Sequence, residues 1–323
     1  MTERPPIVSV IALCFNHERF VEECLEGIRR QSYPNIQLIV VDDCSSDDSV
    51  AVVRDWLRRT ETPATFITHA ENQGICRSKN EALAHATGDY VSSISTDDVW
   101  LPEKLAVQVE QMENMPPTVG VLYGDAYRMD EDGELLPEMF IAHYRRFDAP
   151  PDGDIFESLL GGNFIPSMTT LVRRECFHTV GGYDEALAYE DWDMWLRIAR
   201  RYHFAYSSFV SARYRVLDSS LIHVLLGPRR GDYEASNFRI RMKHLGSSRE
   251  GDRVLREGIT QGAEKLYALD HPLHRAFLRQ AGRVDPRRRT TALYVFASLR
   301  VPYHLARRLL AFMARVRGVS ERG

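Results

Sequence analysis

Apolar runs and helix-periodic segments alternate four times in the first hundred residues. Residues 7–14 are almost all hydrophobic; after Asn16-His17-Glu18-Arg19, the positions Phe20, Val21, Leu25 and Ile28 fall on one helical face. Residues 36–41 are a second apolar run, ending in the polar stretch 42–49 and a helix over 49–59. A third short strand is expected at 64–68. The turn Asn72-Gln73-Gly74 then opens a helix over 77–86, and Gly88-Asp89 leads into a strand at 90–94. Buried strands, each followed by a helix, predict a largely parallel sheet covered on both faces, the α/β class.

Beyond residue 115 the pattern changes. Short strands are expected at 119–123 and 126–129, with a turn at 130–133, and residues 139–154 are irregular and aromatic. They read as a mobile loop, either a surface connection or a substrate lid. A short helix at 155–160, a strand at 168–172 and a helix at 175–180 follow. Trp192, Trp195, Leu196 and Ala199 then share one helical face, which puts Glu190 and Asp191 at the positive N-terminal end of that helix. Strands at 204–209 and 212–216 close this part. Past residue 221 the chain turns helical, with helices expected at 233–244, 253–269, 274–281 and after Pro302. The expected division is an α/β sandwich over 1–218 and a helical, basic region over 219–323.

Composition narrows the class. Of 323 residues, 44% are hydrophobic and 27% charged, as in an ordinary globular protein, and the net charge of -4 argues against a nucleic-acid partner. The charge is uneven: residues 283–317 hold nine arginines and one acidic residue, Asp285. After Pro302, the positions Leu305, Leu309, Phe312, Met313 and Val316 share a side, while Arg307, Arg308 and Arg315 lie away from it. That suits an amphipathic helix on an anionic membrane surface; a helix packed on the rest of the protein with a solvated Arg face is the competing expectation. Five scattered cysteines without metal-ligand spacing favour a reduced, cytoplasmic setting. No signal peptide fits before the strand at Ile7, and no apolar run is long enough to span a bilayer.

The candidate chemistry sits where the strand at 90–94 runs into Asp97-Asp98 and then a helix start at Pro102. Loops at the carboxyl ends of strands bind ligands in open α/β sheets. Adjacent carboxylates repel unless compensated, and hard oxygens facing a phosphate suit Mg²⁺ or Mn²⁺. Alone, a helix-capping Asp in a solvated loop would account for the pair. Asp42 and Asp43, at the end of the second strand, are expected on the same rim.

These residues resemble the inverting glycosyltransferases of family 2, which use the GT-A fold. The similarity runs over about residues 6–215. It rests on the order of Cys14-Phe15-Asn16-His17-Glu18, Val40-Val41-Asp42-Asp43, Asn72-Gln73-Gly74 with Lys79-Asn80, Asp97-Asp98-Val99-Trp100 and Glu190-Asp191-Trp192. The resemblance implies that Ala12, Asn16, Asp42, Lys79 and Asp97 line the nucleotide-sugar site and that Asp98 ligates the metal. It further implies that Asp191 is the catalytic base, with Glu190 and Trp192 on the acceptor side, a core position for Trp192 being the competing and favoured expectation. Two departures stand out. Many relatives carry a further carboxylate where this chain has Ser95, and a His after the last strand where it has Tyr214-Arg215-Val216; His223 is a weak substitute ligand.

Glycosyl transfer needs a leaving diphosphate neutralised and an acceptor hydroxyl deprotonated. The expected donor is a UDP- or dTDP-sugar, and the expected acceptor is a glycan or a lipid-linked glycan, met from the cytoplasmic face of a membrane. A non-catalytic nucleotide-binding scaffold and a nucleotidyltransferase are the alternatives. The second lacks support, because residues 13–17 contain no Gly-rich basic phosphate loop.

Overall fold

The computed structural model describes residues 4–145, 147, 149–286 and 288–320, with the side chains of 288 and 314–320 left aside. The chain forms two compact units, Met1–Ser220 and Leu221–Gly323. In the first, β1 (Val8–Cys14), α1 (Val21–Arg29), β2 (Ile36–Asp42), α2 (Ser49–Thr60), β3 (Ala64–Thr68), α3 (Ile75–His85) and β4 (Tyr90–Ser95) alternate as the apolar pattern requires. β1 pairs in parallel with both β2 and β4, and β2 in parallel with β3. Val8, Val10, Ala12, Val40 and Ile94 are buried between the covering helices, with Val21, Leu25 and Ile28 of α1 packed into the same core.

The chain continues through β5 (Val99–Trp100), α4 (Lys104–Glu113), β6 (Val119–Tyr123), β7 (Ala126–Met129), α5 (Phe140–Tyr144), α6 (Phe156–Leu160), β8 (Leu171–Arg173), α7 (Arg174–Val180), α8 (Asp191–Ala199), β9 (His203–Tyr206) and β10 (Ala212–Arg215). β8 lies antiparallel between β4 and β6, which gives a seven-stranded, mostly parallel sheet in the order β3-β2-β1-β4-β8-β6-β9. A small second sheet, β5-β10-β7, joins the segment after Asp98 to the end of the unit.

Two expectations change here. Asp97 and Asp98 lead into the two-residue strand β5 before α4, not directly into a helix. Residues 139–154 are not wholly irregular, since α5 packs Phe140 against Tyr214 at 5.1 Å and Phe147 packs on Phe164 at 5.0 Å.

The second unit is all helical: α9 (Leu221–Leu226), α10 (Arg230–His244), α11 (Arg249–Ala268), α12 (His274–Val284), α13 (Arg288–Ser298) and α14 (Tyr303–Ser320). Its core gathers Phe238, Ile259, Leu266, Phe277, Leu278 and Ala306. On α14, Ala306 and Leu310 face that core, and Leu305, Leu309, Phe312 and Met313 are exposed, Phe312 at 66%. The side chains of Arg315 and Val316, part of the predicted stripe, lie outside the described residues. Among the described residues no helix is long and apolar enough to cross a membrane.

Candidate active site

The parallel register brings the ends of β1, β2 and β4 to one edge, with Cys14 opposite Asp42 and Leu13 opposite Ser95. The loops that follow form a common rim. Asn16, in the left-handed region at φ 58°, a conformation Asn tolerates, ties two of them together. Its Oδ1 accepts from Ser46 N at 2.7 Å, and its own N–H donates to Ser45 Oγ at 2.8 Å. Asp42 is buried and spends both oxygens on Ser45, accepting from N at 2.9 Å and from Oγ at 2.6 Å. A cavity of about 550 Å³ opens at this rim, lined in part by Asn16, Arg19, Phe20, Val216 and Leu217.

Asp43 does not join the rim as expected. It accepts from Gln73 N and Gly74 N, both at 2.8 Å, and contacts His69 Nδ1, so it holds the start of α3. Gly74, at φ +83°, supplies a backbone conformation that L side chains rarely adopt.

Asp97 and Asp98 are both buried, 6% and 2% exposed. Asp98 Oδ1 accepts the Arg215 backbone N–H at 2.9 Å, and Arg215 Nε donates to the Asp97 carbonyl at 2.9 Å. The guanidinium reaches further, to the Asp130 and Glu131 carbonyls and, at 2.7 Å, to the Glu23 carboxylate. Burial, and after it repulsion from Asp97, push the Asp98 carboxyl well above the usual carboxylate range. Asp97 Oδ1 is buried without a hydrogen-bond partner, and its Oδ2 lies 3.9 Å from His17 Nε2, beyond hydrogen-bond range.

An orphaned carboxylate oxygen beside a second buried carboxylate fits a hard divalent cation, whose charge would relieve both. Among the described residues no group of three or more His, Cys, Asp or Glu completes a metal cage. The remaining positions would fall to substrate oxygens and water, as is usual for Mg²⁺ at phosphates. Arg215 stands where the resemblance led to the expectation of a His, and His223 is an exposed residue of α9 in the second unit.

Asp191 opens α8. Its Oδ1 accepts the Trp192 N–H at 2.6 Å and its Oδ2 accepts from Asn163 Nδ2 at 2.7 Å. Burial, then the Glu190 charge, raise its carboxyl to about 7, with Lys79 and the helix-end N–H groups opposing. The side chain keeps partial access to solvent, which tempers the burial contribution.

Several expected roles are revised by these contacts. Lys79 does not reach the β1–β2 rim: it is buried, donating to Glu190 at 2.7 Å and Ser93 Oγ at 3.3 Å. Glu190 is correspondingly occupied and buried rather than open to an acceptor. Trp192 is core, its indole N–H donating to the Leu159 carbonyl at 2.7 Å. Ala12 lies within β1, fully buried and paired to Val40 and Ile94, and Phe15, just beyond the strand, is exposed. Asn163 and Arg215 contact Asp191 and Asp98 respectively, contacts that the sequence pattern does not reveal.

The sequence profile of Glycosyl transferase family 2 matches residues 9–179, just over half of the chain. A Bacillus subtilis (strain 168) glycosyltransferase assigned by name to teichuronic acid biosynthesis, TuaG, is 26% identical over 222 residues, 68% of this chain and 83% of that protein. A second B. subtilis glycosyltransferase, EpsE, is 29% identical over 219 residues, 67% of this chain and 74% of its own. A longer Rickettsia felis glycosyltransferase is matched over only 34% of its length. Among solved structures, S. aureus TarS 1-349 in complex with UDP-GlcNAc superposes with a TM-score of 0.63 at 18% identity, covering 93% of this chain and 87% of that one. The mannosyltransferase PcManGT from Pyrobaculum calidifontis, in complex with GDP-Man and Mn2+, gives 0.56 at 20% identity, covering 97% and 85%. With the mostly parallel sheet and the rim at its carboxyl edge, these similarities establish that the chain is a GT-A-fold glycosyltransferase and belongs to glycosyltransferase family 2.

Proposed function

We propose that the enzyme transfers a sugar, with inversion, from a nucleoside-diphosphate donor to a hydroxyl of a glycan or lipid-linked acceptor. One observation carries this: the same unit holds a buried acidic pair with an unsatisfied oxygen and a separate carboxylate, Asp191, whose raised pKa suits proton acceptance near neutrality. The TarS complexes with UDP and UDP-GlcNAc support a nucleotide-sugar donor; UDP- or dTDP-sugars are the donors proposed. The PcManGT complex supports a divalent metal.

In this scheme Asp97 and Asp98 would hold Mg²⁺ or Mn²⁺ against the diphosphate; when bound, the cation offsets negative charge gathering on the leaving group. Phe15 offers an exposed ring for stacking against the base, beside Asn16. Asp191, its carboxylate oriented by Asn163, takes the proton of the acceptor hydroxyl as that oxygen attacks the anomeric carbon. The bond to the diphosphate breaks with its electron pair, and the proton ends on Asp191. Attack from the face opposite the leaving group inverts the anomeric configuration.

A peripheral membrane location belongs to the same proposal. Exposed Leu305, Leu309, Phe312 and Met313, on a helix that also carries exposed Arg307 and Arg308, support docking on an anionic lipid surface at the cytoplasmic face.

Calorimetric titration of UDP, dTDP, GDP and CMP, each with and without Mn²⁺, tests the donor site in wild type and Asp98→Asn. Metal-dependent binding of one diphosphate, weakened at least tenfold by the substitution, is expected for loss of a metal ligand. Absence of nucleotide binding under every condition would overturn the proposal. Asp191→Asn is expected to bind the same nucleotide while losing transfer.

A further inference from the structure

Lys79 of α3, anchored on Ser93 of β4, makes a 2.7 Å ion pair with Glu190, the residue directly before Asp191. Both partners are almost fully enclosed, the Lys79 side chain 4% and the Glu190 side chain 8% exposed. The Lys79 ammonium also lies 5.2 Å from the Tyr183 ring centroid. Burial alone would pull this ammonium's pKa down. Glu190 and the surrounding groups outweigh burial and hold it up, so the pair is ionic. A buried ion pair is weak ground for stability, since two desolvated charges are often no better than an apolar pair. Its position against a carboxylate that must lose and regain a proton gives it another use.

We infer that Lys79 is a positioning residue that sets the charge state of Asp191 through Glu190; this rests on Asp191 being the general base. Asp191 feels two opposing fields from one ion pair, and Glu190, the nearer in sequence, is the stronger. With Lys79 absent, the Glu190 charge would act on Asp191 unopposed and hold it neutral at the pH where it must act. Other charged and titratable groups lie nearby, Asp184 of the segment before α8 among them. Asp193, also in the first turn of α8, is paired with Arg197 at 2.9 Å. Tyr183 and Cys76 face the Lys79–Glu190 pair, and both are held neutral by burial. The loop after α6 presents the uncharged amide of Asn163.

The test uses the full chain as wild type, Lys79→Arg, Lys79→Met and the double variant Lys79→Met/Glu190→Gln. Each is followed by carboxyl ¹³C titration and by the pH dependence of kcat. Lys79→Met is expected to raise the upper macroscopic pKa of the Glu190–Asp191 pair, and the acidic limb of kcat, by about one pH unit, with donor affinity unchanged. Lys79→Arg retains the charge and the wild-type limb. The double variant removes both fields, and because that of Glu190 is the larger, its limb moves down instead. It also leaves no unpaired buried charge, so it and Lys79→Arg keep the test open if Lys79→Met fails to fold. A folded Lys79→Met with unmoved titration and limb, or a double variant that moves upward, overturns the inference. If the titrations shift as expected while Asp191→Asn still turns over, the assignment of the base fails and the electrostatic role of Lys79 stands.

Discussion

Asn163 donates its side-chain amide to Asp191 Oδ2 at 2.7 Å, across 28 residues of sequence. The amide is fixed in turn, because its Oδ1 accepts the Ile165 N–H at 3.0 Å, which leaves one orientation of the group. A neutral donor on one lone pair of Oδ2 orients the proposed base without consuming its capacity to accept a proton. Asn163→Ala is therefore expected to lower kcat by about 10- to 100-fold, from roughly 1.5–3 kcal/mol for a hydrogen bond to a charged group, with little change in the donor KM. Steady-state kinetics at saturating acceptor checks this. An equal loss in donor affinity would move Asn163 to the donor site.

With Asp191 as the proposed general base, its raised carboxyl predicts an acidic limb near pH 7. Below it the base is protonated and the rate falls about tenfold per pH unit; above it the rate reaches a plateau. The stability effect has the opposite sense. A carboxyl raised from its ordinary 3.8 binds its proton more tightly when folded, so its penalty is absent well below pH 3.8, grows as the pH rises, and is complete above about 7. Asp191→Asn removes that penalty. Its urea midpoint should gain on wild type as pH rises from 5 to 8, and a constant difference across that range would contradict the account.

Asp97 and Asp98 are adjacent, buried and mutually repulsive without a cation. Asp98→Asn keeps an oxygen for the Arg215 N–H and removes one charge, so thermal unfolding without metal should shift upward by about 2–4 °C per kcal/mol of repulsion relieved. Added Mn²⁺ with UDP should stabilise wild type more than the variant. A variant less stable than wild type in the absence of metal would show that the carboxylate is held mainly by its hydrogen bond.

Leu309→Glu with Phe312→Glu places charge on the exposed side of α14. Co-sedimentation with vesicles containing anionic phospholipid should be lost in this variant and weakened by salt in wild type, while neutral vesicles bind weakly throughout. Unchanged sedimentation would remove the membrane from the proposal.

Much of the fold was legible because its central strands are apolar on both faces and the helices between them carry one clean stripe; Val8 to Cys14 and the Val21, Leu25, Ile28 face of α1 are instances. What stayed hidden depended on distant partners. Val99–Trp100 is a strand only because Ala212 and Arg213 pair with it, and two residues have no period of their own. α13 carries no strong amphipathic stripe and was not anticipated. The resemblance of the segment around Lys79 to the family places that residue near the nucleotide. Its partner, 111 residues away, decided otherwise. Asp43 carries the same chemistry as Asp42, and only the fold sends it to Gln73 and Gly74 instead of the rim.

β10 lies between β5 and β7, and Arg215 at its end clasps Asp98, Asp97, Glu23 and the β7 turn. The match to the family profile ends at residue 179, short of this strand and of Asp191, although similarity to individual relatives runs further. A truncation drawn at the limit of that profile match would retain β1 to β4 yet leave Asp98 unclasped and the proposed proton acceptor missing. The smallest fragment worth expressing extends through Arg215, and an inactive shorter one would be an incomplete enzyme, not a natural scaffold.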